Sequence, residues 1–177
     1  MAFSSLFFLF AFLPIFFAIY YAVPPRYKNV CALTGSALFY FWGAPRFLPI
    51  VLLTSFIDYK ISAAIEAKDD ARLRKFLLAG AVIMNVSILL YFKYANFFIG
   101  EMNDALLDHG LSAIPWMEIA LPIGISFITF EKISYLVDVY SRRVKPAPNF
   151  STYLLFLALF PHLIAGPIFR YHDIAEQ

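Results

Sequence analysis

The chain has little of what a water-soluble enzyme of its size depends on. Charged side chains make up only 15% of its 177 residues, against about 25% in soluble domains. A single cysteine, Cys31, rules out any intrachain disulfide, and no Cys/His cluster offers a metal site. Cys31 lies inside an apolar run and reads as a buried, inert thiol. The formal net charge is only +2 and the basic residues are scattered, which excludes the charged surface that nucleic-acid binding requires. No glycine-rich phosphate cradle, serine elbow, internal repeat or low-complexity stretch is present.

Apolar residues are what the chain has in excess. They make up 62% of it, 19% of the chain is aromatic, and the mean hydropathy is +0.73. A soluble core of this size cannot bury so much, so the lipid bilayer is the first expected partner. The expected fold class is all-α, a polytopic integral membrane helix bundle, because a helix satisfies its own backbone polar groups in lipid.

About six apolar segments are marked out by where the charges fall: 1–25, 29–45, 47–65, 76–92, 119–140 and 150–169. The first has no charged side chain, lacks the Lys/Arg that opens a signal peptide, and shows no clear small-residue cleavage site, so it reads as a retained span. The segment 119–140 carries charges and either spans or re-enters. Nine lysines and arginines (Arg26, Lys28, Lys68, Arg72, Arg74, Lys75, Arg142, Arg143, Lys145) fall in alternate loops. The positive-inside rule assigns that side to the cytoplasm. The amino terminus is then outside, together with a long acidic loop holding Glu101, Asp104, Asp108 and Glu118. Tyr20, Tyr21, Tyr40, Trp42, Tyr91 and Tyr94 stand at segment ends, where amphipathic rings anchor at the headgroups.

Five charges inside apolar segments need a reason, since each costs roughly 2.5–3.5 kcal/mol on insertion scales: Asp58, Lys60, Glu131, Lys132 and Asp138. Asp58 and Lys60 are expected to snorkel, or to pair with loop charges, at the cytoplasmic end of their segment. Glu131 and Asp138, seven apart, share a helix face, and Lys132 stacks cleanly with neither. Two readings fit them equally: a polar stripe lining a wet cavity, or a helix lying partly in the interface. Among the histidines, His109 reads as a solvated loop residue and His172, beside Asp173, as exposed. His162 is either a general base or a hydrogen-bonded buried imidazole. Arg170 suits a carboxylate, phosphate or sulfate group, although an interfacial anchor is the favoured reading.

The motifs form an ordered set. Leu121-Pro122-Ile123-Gly124-Ile125-Ser126-Phe127 leads through Ser134–Tyr140 to Phe160-Pro161-His162-Leu163-Ile164-Ala165-Gly166-Pro167-Ile168-Phe169-Arg170-Tyr171. Leu38-Phe39-Tyr40-Phe41-Trp42-Gly43 and Tyr91-Phe92-Lys93-Tyr94-Ala95-Asn96-Phe97 precede them. In this order they resemble the membrane-bound O-acyltransferase family, nearest its alginate O-acetyltransferase branch. That resemblance implies a multi-helix bundle with a tunnel across a bacterial cytoplasmic (inner) membrane. Through it an acyl group from a cytoplasmic donor reaches hydroxyls of an exported polysaccharide such as alginate. The implied donor substrate is acetyl-CoA or another acyl thioester, with no bound cofactor, and a periplasmic or secreted acetyltransferase is an implied partner. Gly124, Ser126, Tyr135, Asp138, Pro161, Gly166, Pro167 and Arg170 are the implied tunnel-wall residues, none of them a catalytic base. The family histidine belongs to a later part of the chain, and this sequence reaches only Gln177. Residues 1–177 are therefore expected to be the amino-terminal part of a single membrane-embedded domain, without its carboxy-terminal catalytic part and inactive alone. His162 stands where the family usually has glutamine, as does Glu131, while Lys132 replaces a small or apolar residue. The alternative reading is an inert or partner-binding membrane protein. A small transporter ranks last, since no inverted repeat is present.

Overall fold

The computed structural model describes residues 6–122, 124–159 and 171. Pro161, His162, Gly166, Pro167, Arg170 and His172 lie outside them. Among the described residues there is no strand. Six helices follow in chain order: α1 (Leu13–Ala22), α2 (Lys28–Gly43), α3 (Leu48–Glu66), α4 (Ala71–Asp108), α5 (Ile125–Tyr140) and α6 (Phe150–Ala158). Each helix overlaps one of the apolar segments marked in the sequence, without matching its bounds. By length and composition α3 and α4 are long and apolar enough to cross a membrane.

Local chemistry explains where the helices begin and end. Pro14 lacks an N–H and its ring crowds the carbonyl one turn back, so the chain widens into a π-helical turn, Phe8–Phe12, just before α1. There the Leu13 N–H donates to the Phe8 carbonyl, five residues back. Asp70 caps α4 by accepting from the Arg72 N–H at 2.8 Å, and Asn149 caps α6 by accepting from the Thr152 N–H at 2.8 Å. Gly110, at φ +71°, ends α4: its N–H reaches Leu107 O and the Leu111 N–H reaches back to Leu106 O, a Schellman stop. The end of α5 has the same bonding, with Arg142 rather than glycine in the left-handed position, at φ 56°.

Two sequence expectations change here. The acidic stretch expected as an external loop is largely helix: Glu101, Asp104 and Asp108 ride on α4, whose 38 residues extend about 57 Å. Residues 93–108 contain no proline and many good helix formers, so the charges that end an apolar run do not end the helix. Conversely, the segment beginning at 119 is helical only from Ile125, because Pro122 and Gly124 interrupt it. Gly124 sits at φ 73°, a left-handed conformation that glycine adopts without a Cβ clash.

Non-helical residues 111–122 form a strap beside the carboxy-terminal end of α4. Two asparagines seven apart, hence on one helix face, hold its backbone. Asn96 donates to Ile119 O at 2.8 Å and accepts from the Ile119 N–H at 3.0 Å and from Trp116 Nε1 at 3.0 Å. Asn103 donates to Ile114 O at 3.1 Å and accepts from the Ile114 N–H at 2.7 Å. Each amide thus pairs with a backbone unit as a neighbouring strand would.

Helix α5 is the hub, packed against α3, α4 and α6, while α2 packs on α1 and α6. The main core joins Ile65, Ala81, Leu136, Val139, Tyr153 and Leu157. Arg74 donates through Nη2 to the Tyr140 carbonyl, and Arg142 Nη2 lies 3.7 Å from Asp69 Oδ1. These contacts bring the basic clusters at 68–75 and 142–145 to one end of the bundle.

Candidate functional site

The middle of the bundle holds a buried polar layer built from three helices. Lys132 on α5 places Nζ 3.5 Å from Asp58 Oδ2 on α3 and donates to Thr54 Oγ1, one turn before Asp58. Asn85 on α4 donates through Nδ2 to both Asp58 oxygens, at 2.9 and 3.1 Å, and to Ala81 O at 2.9 Å. Asp58 is fully buried and Lys132 is 2% exposed. An isolated charge here would be expelled or neutralised; a carboxylate facing both an ammonium and an amide is retained.

Asp58 thus differs from the sequence expectation. It does not snorkel or meet loop charges, because α5 presents Lys132 to it from across the bundle. Lys60, two residues on, faces outward over the Phe56 and Tyr59 rings at 5.4 and 5.8 Å, as a snorkelling lysine does. Lys132 stacks with neither Glu131 nor Asp138 because its partner is on another helix.

A second polar group lies one layer toward the basic end. The hydroxyls of Tyr135 and Ser62 are 3.1 Å apart, Ser62 donates to Tyr59 O at 2.8 Å, and the Tyr135 hydroxyl accepts from the Ala147 N–H at 2.9 Å. The Tyr135 ring lies against Tyr153 and Tyr171, with centroids 4.7 and 4.9 Å away. Asp138, one turn further on and buried, has Oδ1 3.7 Å from Arg143 Nη1. Glu131 is fully buried on the same face as Asp138.

Of the sequence-selected residues, Tyr135 and Asp138 therefore share the inner face of α5. Ser126 does not join them. It lies nine residues before Tyr135, half a turn out of phase, and belongs to the exposed stripe with Phe130 and Val137. Gly124 forms the turn that starts the helix. Pro161, Gly166, Pro167 and Arg170 lie outside the described residues. Sequence reading missed Asn85 and Thr54, although Asn85 is the one amide in an otherwise charge-free run at 76–92. Such an amide inside an apolar helix signals a buried polar partner.

Chemically the layer is a clamp. Charge and hydrogen bonds join α3, α4 and α5 at one level, and the Tyr135–Ser62–Ala147 group ties the chain after α5 back onto α3.

Comparison with known proteins sets this bundle in context. The whole chain matches a protein named "Probable alginate O-acetylase AlgI" from Pseudomonas syringae pv. tomato at 42% identity, covering 34% of that protein. It matches the protein of the same name from Pseudomonas aeruginosa at 40% identity, again over the whole chain and 34% of the relative. A "Peptidoglycan O-acetyltransferase" of Helicobacter pylori is 30% identical over 99% of the chain and 38% of that protein. The chain spans about a third of the length of these curated relatives. No family model matches it, and no solved structure matches it significantly. Identity along the whole chain, in an all-helical bundle with apolar helices, leads to one conclusion: the chain is similar over its full length to the amino-terminal portion of membrane-bound O-acyltransferases named alginate O-acetylases.

Proposed function

We propose that the protein is an O-acyltransferase. It moves acetyl groups from a cytoplasmic thioester, acetyl-CoA or a related acyl carrier, across a bacterial inner membrane to hydroxyls of an exported polysaccharide such as alginate. The observation that carries this reading is the match of 40–42% identity over the whole chain to proteins named alginate O-acetylases. In the reaction an acceptor oxygen bonds to the acetyl carbonyl carbon, the carbon–sulfur bond breaks, and the hydroxyl proton passes through a base toward the departing thiolate. A hydroxyl is a poor nucleophile until a base takes its proton.

Residues 1–177 supply part of one membrane-embedded domain, with the amino terminus outside. We place the proton-accepting group in the two thirds of the relatives' length that this chain does not match. The contribution of this portion is to position: Asp138 and Tyr135 on the inner face of α5 and Gly124 at its start, with Pro161, Gly166, Pro167 and Arg170, shape the path of the acyl group. A periplasmic or secreted acetyltransferase completes delivery to the polymer.

The test is the O-acetyl content of exported polysaccharide in cells whose native gene has been deleted. Loss of O-acetyl groups, restored by the full-length gene and not by residues 1–177 alone, is the expected result. Unchanged acetylation in the deletion strain would overturn the reading, and acetyl transfer by purified residues 1–177 would overturn the placement of the base.

A further inference from the structure

Outside the polar layer, a groove between α1 and α2 has room for a ligand. It encloses about 520 Å³, within the size range of small-molecule sites, and its lining is almost wholly apolar. One wall follows a single row of side chains, Ala11 of the π-helical turn and Ile15 and Ile19 of α1; the other is formed by Thr34, Leu38 and Trp42 of α2. The lining runs from Phe7 to Val23, about 24 Å along the helix, against a hydrocarbon core of about 30 Å. Phe16 closes the floor. Its ring lies against Gly35, where a Cβ would meet it at 2.5 Å.

The two ends of the groove differ. At one, the Phe7 and Trp42 rings approach to 5.8 Å. At the other, beside Val23 and Tyr27, stand two cations held on tyrosine rings: Arg26 Cζ is 4.5 Å from the Tyr27 centroid and Lys28 Nζ 5.3 Å from that of Tyr20. Among the described residues neither pairs with a carboxylate. A long apolar slot that opens beneath two cations at the level of interfacial tyrosines has the shape and charge of one lipid molecule.

We propose that the α1–α2 groove is a binding site for an anionic phospholipid, with an acyl chain in the slot and the phosphate headgroup between Arg26 and Lys28. This site is separate from the acyl-transfer reading and depends only on the chain lying in a membrane. An acidic headgroup gains from both cations, whereas a zwitterionic one gains less, so the site selects by charge while the slot supplies apolar contact.

The experiment uses the full-length protein expressed from its native gene. It is reconstituted in nanodiscs of phosphatidylethanolamine containing a small fraction of phosphatidylglycerol with a photoreactive group in mid-chain. Crosslinked peptides are mapped by mass spectrometry, and retained lipid is counted by native mass spectrometry. Crosslinks are expected on Val30, Thr34 and Leu38 in preference to Ile83 and Leu90, which are comparably exposed on α4. Ala11→Trp, or Thr34→Phe from the other wall if the first variant does not accumulate, should remove the groove crosslinks. Arg26→Gln with Lys28→Gln should lower retention of phosphatidylglycerol relative to phosphatidylethanolamine by roughly tenfold, while Lys68→Gln with Lys145→Gln leaves it unchanged. Crosslinks shared evenly with α4, retention indifferent to Arg26 and Lys28, or a crosslink from the groove to another protein segment or a second copy would each overturn the proposal.

Discussion

Asp58 and Lys132 each make the other tolerable inside the bundle. Removing one leaves an uncompensated buried charge, so Lys132→Met should destabilise the protein by about 3–5 kcal/mol. Adding Asp58→Leu to that variant should restore most of the loss, because two apolar side chains in a lipid-embedded core need no pairing. Thermal unfolding in detergent measures both, and a double variant no more stable than the single one would show that the pair is not the source of the cost. Tyr135 acts through a smaller contact. Tyr135→Phe leaves the ring stack in place but takes the acceptor from the buried Ala147 N–H, at a cost of about 1–3 kcal/mol in the same assay. Full stability of Tyr135→Phe would mean that another acceptor replaces the hydroxyl. Neither pairing could be read from spacing. The sequence marks Asp58 and Lys132 as costly, yet they stand 74 positions apart, and only the packing of α5 on α3 brings them together.

At the scale of elements, the legible boundaries are those with a strong local signal. Asp70 and Asn149 are side-chain caps, Gly110 is a glycine stop and Pro14 forces the π-turn; each acts within a few residues of itself. The end of α5 gives less warning, since Arg142 takes the place usually held by glycine. The α4–strap pair was hidden for a different reason. Charge placement locates the membrane boundary, but a helix continues past that boundary wherever its residues favour it, and α4 continues to Asp108. The strap is then held by Asn96 and Asn103, whose amides substitute for a partner strand. Asn96→Ala removes three contacts to the strap and Asn103→Ala two. Both variants should speed amide exchange or proteolysis within 111–119, Asn96→Ala more, while the core around Leu136 keeps its protection. Equal protection of the strap in wild type and variants would show that the asparagines do not hold it.

For the whole molecule, the charge pattern and the tertiary contacts agree on one point. Loop alternation puts the basic clusters at 68–75 and 142–145 on one side. In the structure they meet through Arg74 at the end of α5 and Arg142 beside Asp69. The positive-inside rule then predicts a definite labelling pattern. With Cys31 replaced by serine and any other cysteines of the full-length protein removed, single cysteines at Lys28, Lys68 and Lys145 should react with impermeant thiol reagents only from the cytoplasmic side. Those at Arg46 and Asp104 should react only from outside. Labelling of positions 68 and 145 from opposite sides would contradict both the loop count and the shared basic end.

The sequence by itself determined that this chain is helical, suited to a membrane and similar to the O-acyltransferases. Apolar excess, charge spacing, caps and ordered motifs are local or cumulative properties that survive without a fold. Tertiary structure alone decided which buried charges are partners, how far α4 runs beside its strap, that Ser126 turns away from Tyr135, and that α1 and α2 leave a cationic-mouthed groove between them. Those depend on which helix faces which, and that is settled by packing between residues far apart in the chain.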